Sequence, residues 1–271
     1  MIRRVEEANR APFLAAVRGR PHFGDVMPVE LAVFGTMHGG PVPRFFTAAP
    51  GAALCVRGRS ALMCGTYDRE ETGGFLGLCG VDRVLTDGVP PAGYARRRHL
   101  YCMALAGTGK GKELPPTGTD LLPREAPAPP LAGLALDSAP PPGETADFLM
   151  SAQGAEIRDN FYSELCTKLA RGAACVWAAR QNGRMIATAG AYALAPETAY
   201  LAFVETAEPL RGRGVGSWLV GALAARLAGE GRRVSLLCEK GRIAFYGRLG
   251  FKQEGTLWQC TREAEAGEAE G

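Results

Sequence analysis

A strand that runs through three alternating glycines directly into a helix leaves few options for a fold. The stretch is Val204-Glu205-Thr206-Ala207-Glu208-Pro209-Leu210-Arg211-Gly212-Arg213-Gly214-Val215-Gly216-Ser217. Apolar residues 199–204 predict the strand. Residues 217–228, with Trp218, Leu219, Leu223 and Leu227 among alanines, predict the helix. Glycines at 212, 214 and 216 let the backbone turn sharply and leave no Cβ atoms over the amides. Amides at a helix N-terminus form an anion site, to which Arg211 and Arg213 add charge, and a diphosphate is its natural occupant. The plainer alternative is a glycine-rich turn with no ligand.

The elements around this stretch decide between readings of it. Residues 155–169 carry Ile157, Phe161, Leu165 and Leu169 at helical spacing. Strands are expected over 174–180, 185–192 and 198–206, with Asn182-Gly183 as a hairpin turn between the first two. After the loop and helix come a strand at 234–238, a helix at 242–249 stopped by Gly250, and a strand at 251–258. A dinucleotide-binding unit would place its glycine loop after the first strand of a βαβ. Here antiparallel hairpins precede the loop, which argues against a dinucleotide.

The first half is less regular. Residues 1–20 predict a helix interrupted or restarted near Pro12, and 29–35 an apolar segment of undefined type. Short β-like runs follow at 45–47, 52–56, 61–64, 75–79 and 99–105, with Gly58 as a hairpin turn. Arg96-Arg97-Arg98 reads as a solvated strand entrance. Residues 107–112 alternate glycine with Thr108, Lys110 and Lys112 but lack the spacing of a nucleotide-binding P-loop, and read as a surface loop. Prolines crowd residues 113–146 and predict an extended connector, in which 131–136 docks on a lobe or adds a short strand. The expected organisation is an N-terminal lobe (1–112), a connector (113–146), a second lobe (147–262) and an acidic tail (263–271).

Composition removes several function classes. A net charge of +3 gives no case for nucleic acid. The 8 cysteines make no C-x-x-C pair and only 3 histidines accompany them, so no metal site is expected. Single cysteines in apolar runs suit a reducing cytoplasm. The charged start of the chain has no apolar signal core, and no run is long enough to span a membrane.

The second lobe resembles the GNAT superfamily, the GCN5-related N-acetyltransferases. The family's cofactor loop, [Q/R]-x-x-G-x-[G/A], stands here as Arg211-Gly212-Arg213-Gly214-Val215-Gly216, after a strand ending Val204-Glu205-Thr206. Its C-terminal signature, [FY]-Y-x-x-x-G-F, stands as Phe245-Tyr246-Gly247-Arg248-Leu249-Gly250-Phe251. The likeness covers 148–260. It implies an α+β class, with a mixed, mainly antiparallel sheet flanked by helices in the C-terminal lobe. The N-terminal lobe resembles a diverged GNAT-like α/β lobe without the cofactor loop, as in two-lobe bacterial acetyltransferases.

The resemblance further implies acetyl-coenzyme A as cosubstrate and an amine, on a small molecule or a peptide, as acceptor. Amides of Gly212, Arg213, Gly214, Val215, Gly216 and Ser217, with Arg211, are then expected to hold the diphosphate. Backbone groups of Val204 and Thr206 pair with the pantetheine arm, and the Val204 amide polarises the thioester carbonyl. Tyr246 matches the family's general acid; the competing role for it is a packed aromatic. Simple alternation along the strand puts Val204, Ala202, Tyr200 and Thr198 on one face and turns Glu205 away. Glu197, at the strand entrance, is therefore the candidate base, with Glu239 or a water relay as alternatives. Cys238 reads as a core thiol. The competing function is a coenzyme A-binding regulatory module without catalysis.

Overall fold

A computed structural model of the chain describes residues 1–37, 39, 42–105 and 129–263. They fall into two compact units. One comprises Met1–Cys102, Cys238–Lys240 and residues from Glu254 on; the other comprises Met103–Leu237 and Gly241–Gln253. The expected boundaries at 112, 146 and 262 do not coincide with these units. The lysine-bearing loop at 107–112 and nearly all of the acidic tail lie outside the described residues.

The first unit runs β1 (Ile2–Arg4), α1 (Arg10–Val17), α2 (Phe23–Phe34), β2 (Arg44–Ala48), β3 (Pro50–Arg57), β4 (Ser60–Tyr67), α3 (Arg69–Leu78), β5 (Arg83–Thr86) and most of β6 (Tyr94–Leu105). Pro12 sits in the first turn of α1, where a missing N–H is harmless, and a 3₁₀ turn at Glu7–Asn9 precedes it, so the helix restarts close to the proline. Strands β1 to β4 pair antiparallel in chain order, and β4 and β5 pair parallel. Gly58, at φ 52°, makes the β3–β4 turn. Residues 52–56 are all buried, which requires cover on both faces of β3. Leu54, Val56, Met63, Leu76 and Val84 form the core. The segment of undefined type at 29–35 is helix α2 up to Phe34.

One expected strand is a helix. Residues 75–79 belong to α3 and its end. Asp68 caps α3 by accepting the Glu71 N–H at 2.8 Å, and Thr72, Gly73 and Leu76 are buried at helical spacing. Gly73 serves packing. A Cβ on Gly73 would stand 2.2 Å from the Ala92 carbonyl oxygen.

The second unit contains β7 (Leu134–Asp137), α4 (Pro142–Met150), α5 (Ala155–Ala170), β8 (Cys175–Gln181), β9 (Arg184–Leu194), β10 (Thr198–Thr206), α6 (Val215–Gly229), most of β11 (Arg233–Glu239) and α7 (Ile243–Arg248). Pro142 opens α4, the position where a helix accepts proline, so the end of the proline-rich segment is structured. Asn182 and Gly183, both at positive φ (52° and 77°), make the tight β8–β9 turn. The buried run 186–193 of β9 demands cover on both faces. Phe161, Leu165 and Leu169 of α5 pack with Val176, Tyr192 and Ala202. Helix α6, buried along most of its length, packs on β8, β9 and β10 and supplies the other layer.

Each unit therefore has the order β-α-α-β-β-β-α-β, with antiparallel pairs leading to one parallel pair, β4–β5 in the first and β10–β11 in the second. The closing strand, β12 (Lys252–Arg262), pairs antiparallel with β5 through Trp258↔Thr86 to Thr261↔Arg83. In the first unit the arginine triplet is held at the surface. The Arg96 guanidinium lies 4.8 Å from the Trp258 ring centre, Arg97 donates to the Thr261 hydroxyl, and Arg98 pairs with Glu239.

Candidate active site

The site begins where β10 and β11 part. Their parallel register runs from Thr198↔Arg233 to Leu201↔Leu236 and stops. β10 continues to Thr206 on β9 alone, through Glu205↔Thr188 and Thr206↔Ala187. Between Ala202 and Glu205 it carries an extra residue, and Phe203 takes the left-handed conformation, φ 50°. Such a bulge bends the strand and re-aims its side chains. The backbone of Val204 to Thr206 is thereby turned into a cleft of about 490 Å³.

The next residues close one end of that cleft. A 3₁₀ turn at Glu208–Leu210 leads into Gly212 (φ 77°) and Gly214 (φ 84°). Gly214 is the N-cap of α6, and the first bond inside the helix is Trp218 N–H to the Gly214 carbonyl at 2.9 Å. The N–H groups of Val215, Gly216 and Ser217 consequently have no carbonyl within the helix, and all three residues line the cleft. A Cβ on Gly216 would sit 3.1 Å from the Thr206 hydroxyl oxygen, so strand end and helix start approach closely where residue 216 is glycine. Pro130 closes on Gly214 from outside, 3.4 Å from where a Cβ would be.

Helix α7 forms the facing wall with Arg242, Phe245, Tyr246 and Arg248. The Tyr246 ring is set edge-on against Phe245 (4.9 Å between centres) and Phe251 (5.9 Å). Tyr246 shares the cleft with Val204 and Thr206, so the structure brings together the two motifs that stand about 35 residues apart in sequence. Leu210, Arg242, Phe245 and Arg248 were not among the expected site residues. The two arginines flank Tyr246 on its short helix, a signal visible in sequence once that helix is assigned. They bring the cleft's guanidinium groups to three, with Arg211.

Two expectations about the base change. The bulge at Phe203 breaks the alternation on which Glu205 was turned away, and Glu205 lines the cleft. Its carboxylate is engaged there: Arg211 donates to its Oε1 at 2.7 Å and to the Thr206 carbonyl at 3.1 Å. Glu197 sits exposed at the far end of β10, seven residues from Val204 or about 20 Å along a strand, where its carbonyl accepts the Arg233 N–H, and it is not among the residues that line the cleft. Glu239 pairs with Arg98 and is likewise absent from the lining. Cys238 is buried, and burial raises its thiol above the ordinary range, as suits a core residue.

The first unit carries no equivalent site at the matching helix. Helix α3 occupies in that unit the place of α6. Its N-terminus receives the unit's own carboxylates: Asp68 caps Glu71 N–H, Glu70 and Glu71 fill the first turn, and Glu71 also accepts the Ile2 N–H at 2.9 Å. Acidic side chains already complement the helix dipole there and would repel a diphosphate.

Comparison with known proteins fits this geometry. The profile of the acetyltransferase (GNAT) family matches residues 144–251. Among solved structures, a tandem GNAT protein from the clavulanic acid biosynthesis pathway superposes with a TM-score of 0.63 at 16% identity, covering 100% of this chain and 99% of its own. A GCN5-related N-acetyltransferase from Sphaerobacter thermophilus gives 0.57 at 17% identity, covering 96% and 94%. One from Kribbella flavida gives 0.53 at 15%, covering 82% and 90%. At these identities the likeness bears on fold. No curated protein matches the sequence.

Proposed function

We propose that the protein, whose residues 144–251 match the acetyltransferase (GNAT) family profile and whose fold follows that of a tandem GNAT protein, transfers the acetyl group of acetyl-coenzyme A to a primary amine. The observation that carries this reading is the shared cleft, where released β10 backbone, an uncapped helix N-terminus and Tyr246 line one space.

The α6 amides and Arg211 bind the diphosphate. The open edge of β10 at Val204 to Thr206 receives the pantetheine amides as an added strand would be received. The Val204 N–H stabilises the oxyanion that forms when the amine nitrogen attacks the thioester carbon. Carbon–sulfur cleavage then releases a thiolate, and Tyr246 donates the proton it takes up. Glu205 is the sole carboxylate among the described lining residues and is held by Arg211. The acceptor therefore enters as the neutral amine, and water carries away the proton it loses after attack.

The test is thiol release from acetyl-coenzyme A with a panel of primary amines, read beside coenzyme A binding. Transfer to an amine, reduced 10²–10⁴-fold in Tyr246→Phe with coenzyme A affinity retained, is expected for a general acid. Binding without transfer to any amine would leave the regulatory module as the function. Absence of binding would overturn both.

A further inference from the structure

The described residues expose six large apolar side chains, and three of them, Ile157, Tyr162 and Phe203, lie on α5 and at the β10 bulge of the second unit. Single exposed apolar residues are ordinary, whereas a cluster marks a contact surface. Phe203 is the centre of this one. The residue is 44% exposed, although it stands in a strand between half-buried neighbours, Ala202 and Val204. The left-handed backbone at residue 203 is costly for a phenylalanine and persists only where the surroundings enforce it. It places the ring edge-on to Tyr192 (4.8 Å) and Phe161 (5.0 Å). Ile157 precedes Phe161 by one helical turn and extends the same apolar face.

Position gives this wall its occupant. Phe203 directly precedes Val204, whose backbone opens into the donor cleft. The aromatic wall is on the α5 side of the sheet, and the diphosphate loop opens α6, which covers the other side. Donor and wall thus approach Val204 from opposite layers, as a donor and an acceptor must.

Charge narrows the class. Of the carboxylates on the adjoining elements, Glu205 pairs with Arg211, Asp147 and Asp159 with Arg158, and Glu164 with Lys168, which leaves Glu156, beside Ile157, as the one carboxylate of α5 outside these pairs. Burial raises the Tyr192 phenol, so that group is neutral as well. A polycation needs several acidic partners and finds this one, whereas an aryl or branched alkyl group finds a set of aromatic rings.

We propose that Phe203, backed by Tyr192 and Phe161, selects an acceptor whose amine is carried on an apolar, aryl-sized group. The inference rests on the acetyl-transfer reading for its chemistry, and its test separates the two. 2-Phenylethylamine, ethylamine and spermidine are titrated calorimetrically into the coenzyme A complex of the full chain, and each is also assayed for acetylation.

The aryl amine is expected to bind at least 10-fold more tightly than either of the others. In Phe203→Ala that preference falls below threefold, while coenzyme A affinity and melting temperature show the donor site and fold intact. Phe203→Leu, which keeps an apolar side chain, retains most of the preference. Tighter binding of spermidine, equal binding of the three, no binding of the aryl amine, or an unchanged preference in Phe203→Ala overturns the inference. Binding of the aryl amine without acetylation upholds the inference and counts against acetyl transfer.

Discussion

Arg211 reaches back six residues to hold Glu205, donating to its carboxylate at 2.7 Å and to the Thr206 carbonyl at 3.1 Å. The first arginine of the glycine loop is thereby fixed against the strand whose backbone lines the cleft. Both side chains are about half exposed, so the pair contributes less than about 1 kcal/mol to stability. Its larger effect is on anion binding, and the two partners act with opposite sign. Arg211→Ala is expected to weaken coenzyme A binding about 10-fold. Glu205→Gln removes a negative charge beside the diphosphate and is expected to tighten binding by about threefold. Calorimetric titration of both variants checks the signs; loss of affinity in Glu205→Gln would make the carboxylate a support for the loop instead.

Gly214 and Gly216 are glycines for different reasons. Gly214 has φ 84°, and Ala there is expected to cost about 1–2 kcal/mol in urea unfolding. Gly216 has helical geometry, where Ala is ordinarily favoured by about 1 kcal/mol. The Thr206 hydroxyl 3.1 Å from the new Cβ opposes that gain, and a methyl at the start of α6 crowds the amides proposed to bind the diphosphate. Gly216→Ala is therefore expected to keep near wild-type stability and lose at least 10-fold in coenzyme A affinity. Parallel unfolding and binding measurements separate the two behaviours.

The bulge makes an unusual prediction about residue 203. In an ordinary strand Ala is more stabilising than Gly. At φ 50° the order inverts, and Phe203→Gly is expected to be more stable than Phe203→Ala by about 1 kcal/mol. Equal stabilities, or Ala above Gly, would show that the strand relaxes to normal geometry once the ring is removed.

His22, at the start of α2, is buried, and desolvation lowers its pKa to about 4 from 6.5, with Asp25 opposing the shift. Between pH 6.5 and 4 the unfolded chain therefore binds a proton that the folded chain does not, and stability falls as pH drops through that window. The full shift corresponds to about 3 kcal/mol, reached below pH 4. His22→Asn suits the left-handed φ of 68° and removes the titration. Its unfolding free energy is expected to lose about 3 kcal/mol less than wild type over the same pH range.

The second unit was largely legible because its elements obey local rules. Asn182-Gly183, the glycine loop and Gly250 punctuate it, and β10 runs over 198–206 as its pattern predicts. The first unit was less so. Gly73, Gly74 and Gly77 hid a helix whose spacing depends on close approach to Ala92, a contact with no local trace. The recurrence of β-α-α-β-β-β-α-β was expected from the resemblance to two-lobe acetyltransferases but carries no residue motif, since carboxylates at α3 replace the glycines at α6. At the site, the glycine loop and Tyr246 could be named from sequence because each stands in a local motif, and the structure puts both on one cleft. The side on which Glu205 lies could not, because one extra residue at Phe203 shifts the strand's alternation, and bulges leave no signature in an apolar run.

The central claim is that one cleft, in the second unit, binds the acetyl donor, and calorimetric titration of the full chain with coenzyme A tests it most directly. One equivalent per chain is expected, with melting stabilised by about 2.7 kcal/mol at a hundredfold excess over Kd, and the heat lost in Gly216→Ala. No saturable binding, two equivalents per chain, or full binding in Gly216→Ala would contradict it.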